Sequence, residues 1–240
     1  MITVGPTQDE ILAALGDFLQ AICSPSDIEV VVGQVNRVPQ PLSINQVIMW
    51  PILRTRLETN IEESIDTSFV SSIAGTLMTV TNLIQGEIKI GAQVFGPGLA
   101  DNTYVASFGT GTGGVGTYNI LPTQTVASEQ MASGVLDILQ PTQLTVQLDV
   151  HGPVSGDNAQ VITTLLRDSY GVEALQALNP NVFPLFASEP RQVPFKDGEQ
   201  QYEDRWIIEA NLQVNQVVVV PQQFADEISV DVISVEATYS

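Results

Sequence analysis

The sequence predicts an α+β protein in which helices flank an antiparallel or mixed β-sheet and a small all-β domain interrupts the chain. Three observations support this prediction. An apolar stripe at helical spacing follows the N-terminus, polar and apolar residues alternate in the second half, and a nearly uncharged, glycine-rich stretch lies between them. We therefore expect a discontinuous α+β domain over residues 1–70 and 134–240, and an inserted glycine-rich β domain over residues 71–133.

The first predicted element is a helix that ends before Pro25. Thr7 and Glu10 have the spacing of a capping box, in which each side chain accepts a hydrogen bond from a free backbone N–H at the helix start. Apolar residues at helical spacing then predict one buried face. These residues are Ile11, Leu12, Leu15, Phe18, Leu19 and Ile22.

Two strands are predicted next, over residues 29–38 and 43–53, because both stretches are rich in apolar and β-branched residues. Pro39 and Pro41 separate them, since proline favours an extended backbone that cannot donate to a ladder. Trp50-Pro51 indicates an edge or a bend within the second of these strands.

After the glycine-rich stretch, the pattern predicts a strand, a turn and a helix. Residues 143–150 alternate, and His151-Gly-Pro ends the strand. Ser155 or Asp157 is expected to cap a helix that ends near Gly171. The buried face of the strand is predicted to carry Leu144, Val146, Leu148 and Val150, and that of the helix Ile162, Leu165 and Leu166.

Three further elements complete the predicted α+β domain. A short helix over residues 174–178 is stopped by Asn179-Pro180. A strand follows, which residues 217–220 extend, and residues 228–237 form a last strand with a bulge. One face of the first of these strands is predicted to carry Trp206, Ile208, Ala210, Leu212 and Val214.

Short β-rich runs separated by glycine, proline and asparagine predict a compact antiparallel unit in the inserted domain. The runs cover residues 77–84, 88–98, 103–108 and 116–121. Gly109-Thr-Gly-Thr-Gly-Gly114 between the last two matches G-x-G-x-x-G formally, but a strand and not a helix follows it. We interpret it as a turn, because glycine adopts positive φ at no steric cost.

The charge of the chain limits the function classes. Eight Lys and Arg against 27 Asp and Glu give a net charge of −19, which disfavours an extended phosphate-binding surface. The single Cys23 is expected to be a buried free thiol in a reducing compartment. The N-terminus lacks the pattern of a secretory signal, and no run reaches the roughly 18 apolar residues of a membrane span. We expect a soluble protein made in the cytoplasm.

The residues predict no catalytic, cofactor-binding or metal-binding site. His151 is the single histidine, and its place at a strand end is more typical of a turn or an interface than of a catalytic base. The acidic pairs Glu62-Glu63 and Asp226-Glu227 are typical of solvated faces. A hydrolase would need a nucleophile, a base and oxyanion donors that converge, which a single histidine makes hard to build.

Several segments resemble neck and tail-terminator proteins of tailed bacteriophages. They are residues 147–159 with the helix that follows, Pro190, residues 205–214, and residues 33–39, which resemble an early strand of that family. Residues 108–128 resemble a glycine-rich β module that recurs in phage structural proteins. The insertion is a departure from a minimal terminator, which lacks it.

The resemblance implies a structural virion protein, not an enzyme, without cofactors. Such a subunit would form a hexameric ring that terminates the tail tube and joins it to the head–neck connector. DNA would pass through the lumen without sequence-specific binding, and an acidic lumen would repel its phosphates. The implied partners are other copies of the chain, the tail tube protein and the connector, with a sheath or collar protein through the insertion and no membrane.

Five residues are candidates for the contacts between subunits, because aromatic and arginine side chains often dominate interface energy. If Arg205 lies at an interface, we expect Arg205→Glu to weaken oligomers without unfolding the monomer. Burial of both tryptophans in the core is an equally open interpretation. The five candidates are Trp50, Asp149, His151, Arg205 and Trp206.

Two alternatives stay open. The chain could be an adjacent neck or collar protein, whose pattern the α+β domain would also fit. It could instead be a carbohydrate-binding, adhesin-like tail protein, since such proteins also carry glycine-rich β modules. That class requires clustered exposed aromatics, and the insertion offers Tyr104 and Tyr118.

Overall fold

A computed structural model describes residues 2–34, 44–193, 195–196 and 202–222. The predicted strand over residues 228–237 and the acidic pair Asp226-Glu227 lie outside the described residues, as do the prolines at 39 and 41. In this part of the chain the helices are α1 (Gln8–Ile22), α2 (Ser155–Leu165) and α3 (Ser169–Leu178). The strands are β1 (Thr3–Gly5), β2 (Glu29–Val32), β3 (Gln46–Arg56), β4 (Ile61–Gln85), β5 (Gln93–Phe95), β6 (Tyr104–Phe108), β7 (Gly116–His151), β8 (Val182–Ala187), β9 (Arg191–Gln192), β10 (Phe195–Lys196), β11 (Tyr202–Glu203) and β12 (Arg205–Pro221).

The described residues divide into two compact units. The β unit contains Glu62–Ile138 together with residues 2–3 and 219–222, and the α+β unit contains Val4–Ile61 and Leu139–Val218. The helices all belong to the α+β unit. The residues 71–133 predicted as an inserted domain fall inside the β unit, and their origin as an inserted module stays a prediction.

The start of α1 confirms the predicted capping box. The Glu10 N–H donates to Thr7 Oγ1 at 3.3 Å, and the Thr7 N–H donates to Glu10 Oε2 at 2.7 Å. The hydrogen bonds from the backbone and then the side chain of Thr7 lower the pKa of Glu10, because they favour its charged form. The helix ends at Ile22, shortly before Pro25 as predicted.

The sheet of the α+β unit is mixed, which confirms the α+β part of the predicted fold class. Strand β3 pairs antiparallel with β7 on one side and parallel with β2 on the other, where Glu29 lies opposite Gln46. The register of β3 shifts between Pro51 and Leu53, so the predicted bend at Trp50-Pro51 is confirmed. The pairing with β2 ends at Met49, so the missing N–H of Pro51 breaks no bond to that strand.

Alternate residues of β7 and β12 form the centre of the core, and both predicted apolar faces are confirmed there. Every predicted core position of β7, and every one of β12 except the half-buried Trp206, has no exposed surface. The apolar face of α1 packs into the same cluster, together with side chains of α2 and α3. The fully buried strand residues are Leu144, Val146, Leu148, Val150, Ile208, Ala210, Leu212 and Val214.

The prediction for the helix after His151 is wrong at both ends. Helix α2 begins after Val154 without a side-chain cap, and it ends at Leu165, not near Gly171. Asp168 starts α3 instead, because its carboxylate accepts from the Tyr170 N–H at 2.9 Å. Gly171 lies inside α3, where a Cβ would lie 2.2 Å from the Leu165 carbonyl oxygen. The glycine thus serves close packing and not a helix end.

In the β unit, β-strands cover more residues than the sequence predicts. Strand β4 begins at Ile61, and the buried Thr67 and Ser71 alternate along it with the buried Phe69 and Ile73. Small hydroxyl side chains in the core weaken the apolar alternation that identifies a strand. The chain reverses near Gly75 (φ +69°), since Thr81 Oγ1 donates to the Val70 carbonyl at 3.3 Å. The predicted run over residues 88–98 is strand over Gln93–Phe95 alone.

The glycine-rich segment 109–114 is a turn between two antiparallel strands, as the sequence predicts, with Phe108 opposite Tyr118. It folds around the fully buried Tyr118, whose hydroxyl accepts from the Gly113 N–H at 3.0 Å and donates to the Gly114 carbonyl. A Cβ on Gly111 would lie 2.6 Å from the Tyr118 ring. Burial raises the pKa of Tyr118, so the hydroxyl stays protonated.

We expect Tyr118→Phe to destabilise the β unit by about 1–3 kcal/mol, because it leaves the Gly113 N–H and the Gly114 carbonyl without their partner. Urea denaturation followed by hydrogen–deuterium exchange of residues 104–121 measures the change. Tyr104→Phe is the matched control, since Tyr104 is half-buried and its hydroxyl makes no hydrogen bond within the described residues. Equal losses in the two variants would contradict the role of the Tyr118 hydroxyl.

Candidate functional site

The structure places the five candidate interface residues in the α+β unit, on three neighbouring strands. Trp50 lies on β3, Asp149 and His151 on β7, and Arg205 and Trp206 on β12. Strand β7 lies between the other two in the sheet. The candidates are therefore close in the fold although they are spread over more than half of the chain.

Asp149 and Arg205 form an ion pair within the chain. The Arg205 guanidinium donates to Asp149 Oδ2, and Gln147 Nε2 donates to Asp149 Oδ1 at 2.9 Å. The side chain of Asp149 is 4% exposed and that of Arg205 is 22% exposed. A carboxylate buried to this degree needs such partners, because burial removes the water that would otherwise solvate its charge. The sequence singled out both residues but did not predict that they pair.

The same face of the sheet carries a buried polar group next to this pair. Asn211 Oδ1 accepts from Thr145 Oγ1 at 2.7 Å and from Gln143 Nε2 at 2.9 Å. Thr145 and Asn211 are each 5% exposed. Because the hydrogen bonds of these side chains are made inside the unit, they fix β12 against β7 and do not converge on an empty site.

The two tryptophans lie on opposite faces of the sheet. Trp206 shares the face of Ile208 and packs against the helix-covered core, where a Cβ on Gly156 would lie 3.4 Å from its Nε1. Trp50 lies opposite Gln147 on the other face, and Gly33 leaves space for its ring. Trp206 is thus partly a core residue, and the two side chains cannot form one anchor. A role of either in subunit contacts stays a prediction.

His151 lies where β7 ends, opposite Gln46, and is 6% exposed. The turn that follows depends on Gly152, whose φ is +102° and whose N–H donates to the Asp204 carbonyl at 3.1 Å. This position favours the interpretation of His151 as a turn residue. The described residues contain no group of three His, Cys, Asp or Glu side chains that could hold a metal ion.

The three helices carry acidic side chains and no lysine or arginine. Each of these acids is exposed: Asp9, Glu10 and Asp17 in α1, Asp157 in α2 and Glu173 in α3. We call this surface the acidic helix layer. The net charge can be counted from the sequence, but its concentration on the helices depends on where each helix begins and ends.

A groove of about 360 Å³ lies between α1 and the strands β2 and β3. Gly16 keeps it open, since a Cβ there would lie 3.1 Å from Met49 Cε. Its lining combines apolar residues with two exposed carboxylates, so we call it the acidic groove. The lining residues are Leu12, Ala13, Gly16, Val30, Val32 and Met49, together with Asp9, Asp17 and Gln20.

Cys23 is buried and free, as predicted. Burial raises the pKa of its thiol to about 12, so the thiolate that reacts with oxidants is scarce at neutral pH. In the described part of the chain no helix is long and apolar enough to cross a membrane.

The Asp149–Arg205 pair and the Asn211 cluster are bonded inside the sheet, and the carboxylates of the helices lie exposed on the surface. A family model described as phage neck terminator protein matches residues 109–236. The chain belongs to this family, which is a family of structural phage proteins and is not known as enzymatic. No curated protein matches the sequence. The family match confirms the resemblance to terminator and neck proteins.

We expect Arg205→Gln to destabilise the α+β unit by about 3 kcal/mol, because it leaves Asp149 charged, buried and without its cation. Urea denaturation at neutral pH measures the loss. The exposed Arg191→Gln is the matched control, and the double variant Asp149→Asn/Arg205→Gln should recover part of the stability. A loss no greater than that of the control would contradict this role. Arg205→Glu would place two carboxylates together and destabilise the fold, so it does not isolate an interface.

Proposed function

We propose that this phage neck protein forms a ring at the head-proximal end of the tail tube, where it terminates tail assembly and joins the tail to the head–neck connector. The family match carries the proposal, since it identifies a structural protein of the phage neck. Homo-oligomers of soluble proteins usually adopt closed symmetry, and a ring is the closed form that leaves a channel for DNA. The hexameric state belongs to the proposal.

The charge of the acidic helix layer supports the proposal that this surface lines the channel of the ring. Five exposed carboxylates and no lysine or arginine in the helices create a negative potential that repels DNA phosphates over about one Debye length, roughly 8 Å at physiological salt. In a ring, every copy presents the same surface to the lumen. DNA would then slide past without binding.

The β unit is proposed to contact a sheath, collar or decoration protein. Its surface carries exposed apolar side chains that its own core does not use, and such surfaces are often contact sites. They include Leu77, Ile84, Ile90, Val115 and Leu121. The described helices lie outside this unit, so it contributes no carboxylate to the acidic helix layer.

The carbohydrate-binding alternative receives less support than the ring. Tyr118 is fully buried with its hydroxyl bonded in the glycine-rich turn, so it offers no face for stacking on a sugar. Of the two tyrosines on which that alternative depended, the half-buried Tyr104 is left. An adjacent neck protein would fit the family match as well as a terminator does. Binding to the tips of purified tail tubes separates the two.

Native mass spectrometry and negative-stain imaging of the protein, alone and with purified tail tubes, test the proposal. We expect closed rings at one tip of each tube, because a terminator binds the finished end. Addition of the protein to growing tubes should also stop their elongation. Tubes that carry no ring and continue to elongate would reject the terminator role.

We expect Asp157→Lys/Glu173→Lys to slow DNA exit from assembled particles, because cations on the channel wall would attract phosphates. The rate of genome release, measured with a DNA-binding dye, should fall, and the fall should shrink as salt is raised. The control is Glu62→Lys/Glu63→Lys, which makes the same charge change on two exposed residues of β4. An equal effect of the control would show that net charge and not the helix layer matters.

A further inference from the structure

Two arginines of β3 lie on the side of the sheet that carries the helices. Arg54 lies opposite Leu144 of β7, which belongs to the helix-covered core, and Arg56 follows two residues later on the same face. Arg54 reaches across β7, where it donates to Gln216 of β12 and, at 3.5 Å, to Gln8 Oε1 at the start of α1. These two residues, which we call the arginine pair, therefore border the acidic helix layer.

The hydrogen bonds of the arginine pair leave its positive charge available. Arg56 donates to the Glu58 carbonyl at 2.7 Å and to Asn60 Oδ1 at 2.8 Å, so every acceptor of the pair is neutral. Arg167 and Arg205, by contrast, are bonded to carboxylates. Within the described residues neither member of the arginine pair forms an ion pair. In a chain with 27 Asp and Glu, two adjacent cations without a carboxylate partner indicate another anion.

The arginine pair is exposed, and its side chains are held in place. A guanidinium has five N–H donors, and each of these two makes two hydrogen bonds, so donors remain on both. Planar guanidinium donors match the oxygens of a phosphate group. A side chain that is already fixed also loses less conformational entropy when it binds. The pair is thus preorganised for a phosphate.

We propose that the arginine pair contacts the phosphates of the DNA that passes through the ring. This inference rests on the proposed function, in which the acidic helix layer lines the channel. In a closed ring every copy presents the same surface, so the pairs of all copies form one belt of cations beside the acidic wall. The wall repels DNA along its length, and the belt retards it at one level. The contact reads no sequence, because phosphates carry none.

DNA fits the belt better than the carboxylates of another protein do. A duplex carries one phosphate charge per about 1.7 Å of its axis, so phosphates face the belt at every rotation and every advance of the duplex. Carboxylates of a protein would have to lie at one fixed position relative to each copy. The belt therefore slows a moving duplex without stopping it, and its effect should depend on salt.

The rate of genome release from assembled particles, followed with a DNA-binding dye, tests the contact. We expect Arg54→Gln/Arg56→Gln to raise this rate about threefold or more at low salt, because phosphate contacts are lost, and the difference should shrink as salt is raised. Arg56→Gln alone is compared with Arg191→Gln, which removes the same charge from an exposed residue on the opposite face of the sheet. The control should release DNA at the unchanged rate.

Arg56→Lys separates charge from local structure. It keeps the cation and loses the guanidinium bonds to Glu58 and Asn60, so its release rate should stay near that of the unchanged chain. Thermal melting shows that each variant folds, and negative-stain imaging shows whether rings form at tube tips.

Rings at the tips with release no faster than in the control, or equal release from Arg56→Lys and Arg56→Gln, overturn the DNA contact while the proposed function stands. Loss of rings in folded arginine variants assigns the pair to a protein contact and also overturns it. An unchanged chain that forms no ring rejects the proposed function and this inference together.

Discussion

The burial of alternate apolar side chains along β7 and β12 is the interaction on which the α+β unit depends. These two strands are neighbours, and their fully buried residues form the surface on which α1, α2 and α3 pack. Each buried Val or Leu contributes about 1.5–3 kcal/mol relative to an exposed one. Because the apolar faces of the helices pack into this cluster, the position of the helices, and with it the acidic helix layer, follows from the strands.

Strong local signals explain what the sequence could predict. The capping box at Thr7 and Glu10, the alternation over residues 143–150 and the even positions of β12 each depend on neighbours in the chain, and each is found in the structure. The end of α2 was missed because Gly171 looks like a helix stop but serves close packing against Leu165. The start of β4 was missed because Thr67 and Ser71 occupy buried positions that usually hold apolar residues.

The candidate surfaces were harder to predict because they combine residues that are distant in the sequence. Asp149 and Arg205 can be named as candidates from the sequence, but their pairing depends on the adjacency of β7 and β12. The acidic groove joins Asp9 and Asp17 of α1 to Val30 and Val32 of β2, and no short motif links them.

The buried ion pair also has a consequence for how the sheet is assembled during folding. A slip of β12 by two residues against β7 would keep its apolar side chains on the core face, but it would move Arg205 away from Asp149 and leave a buried anion without its cation. Intermediates misaligned in this way would carry a penalty that the alternation of apolar residues alone does not impose. One charged pair in an otherwise permissive sheet can therefore select the native alignment kinetically as well as at equilibrium.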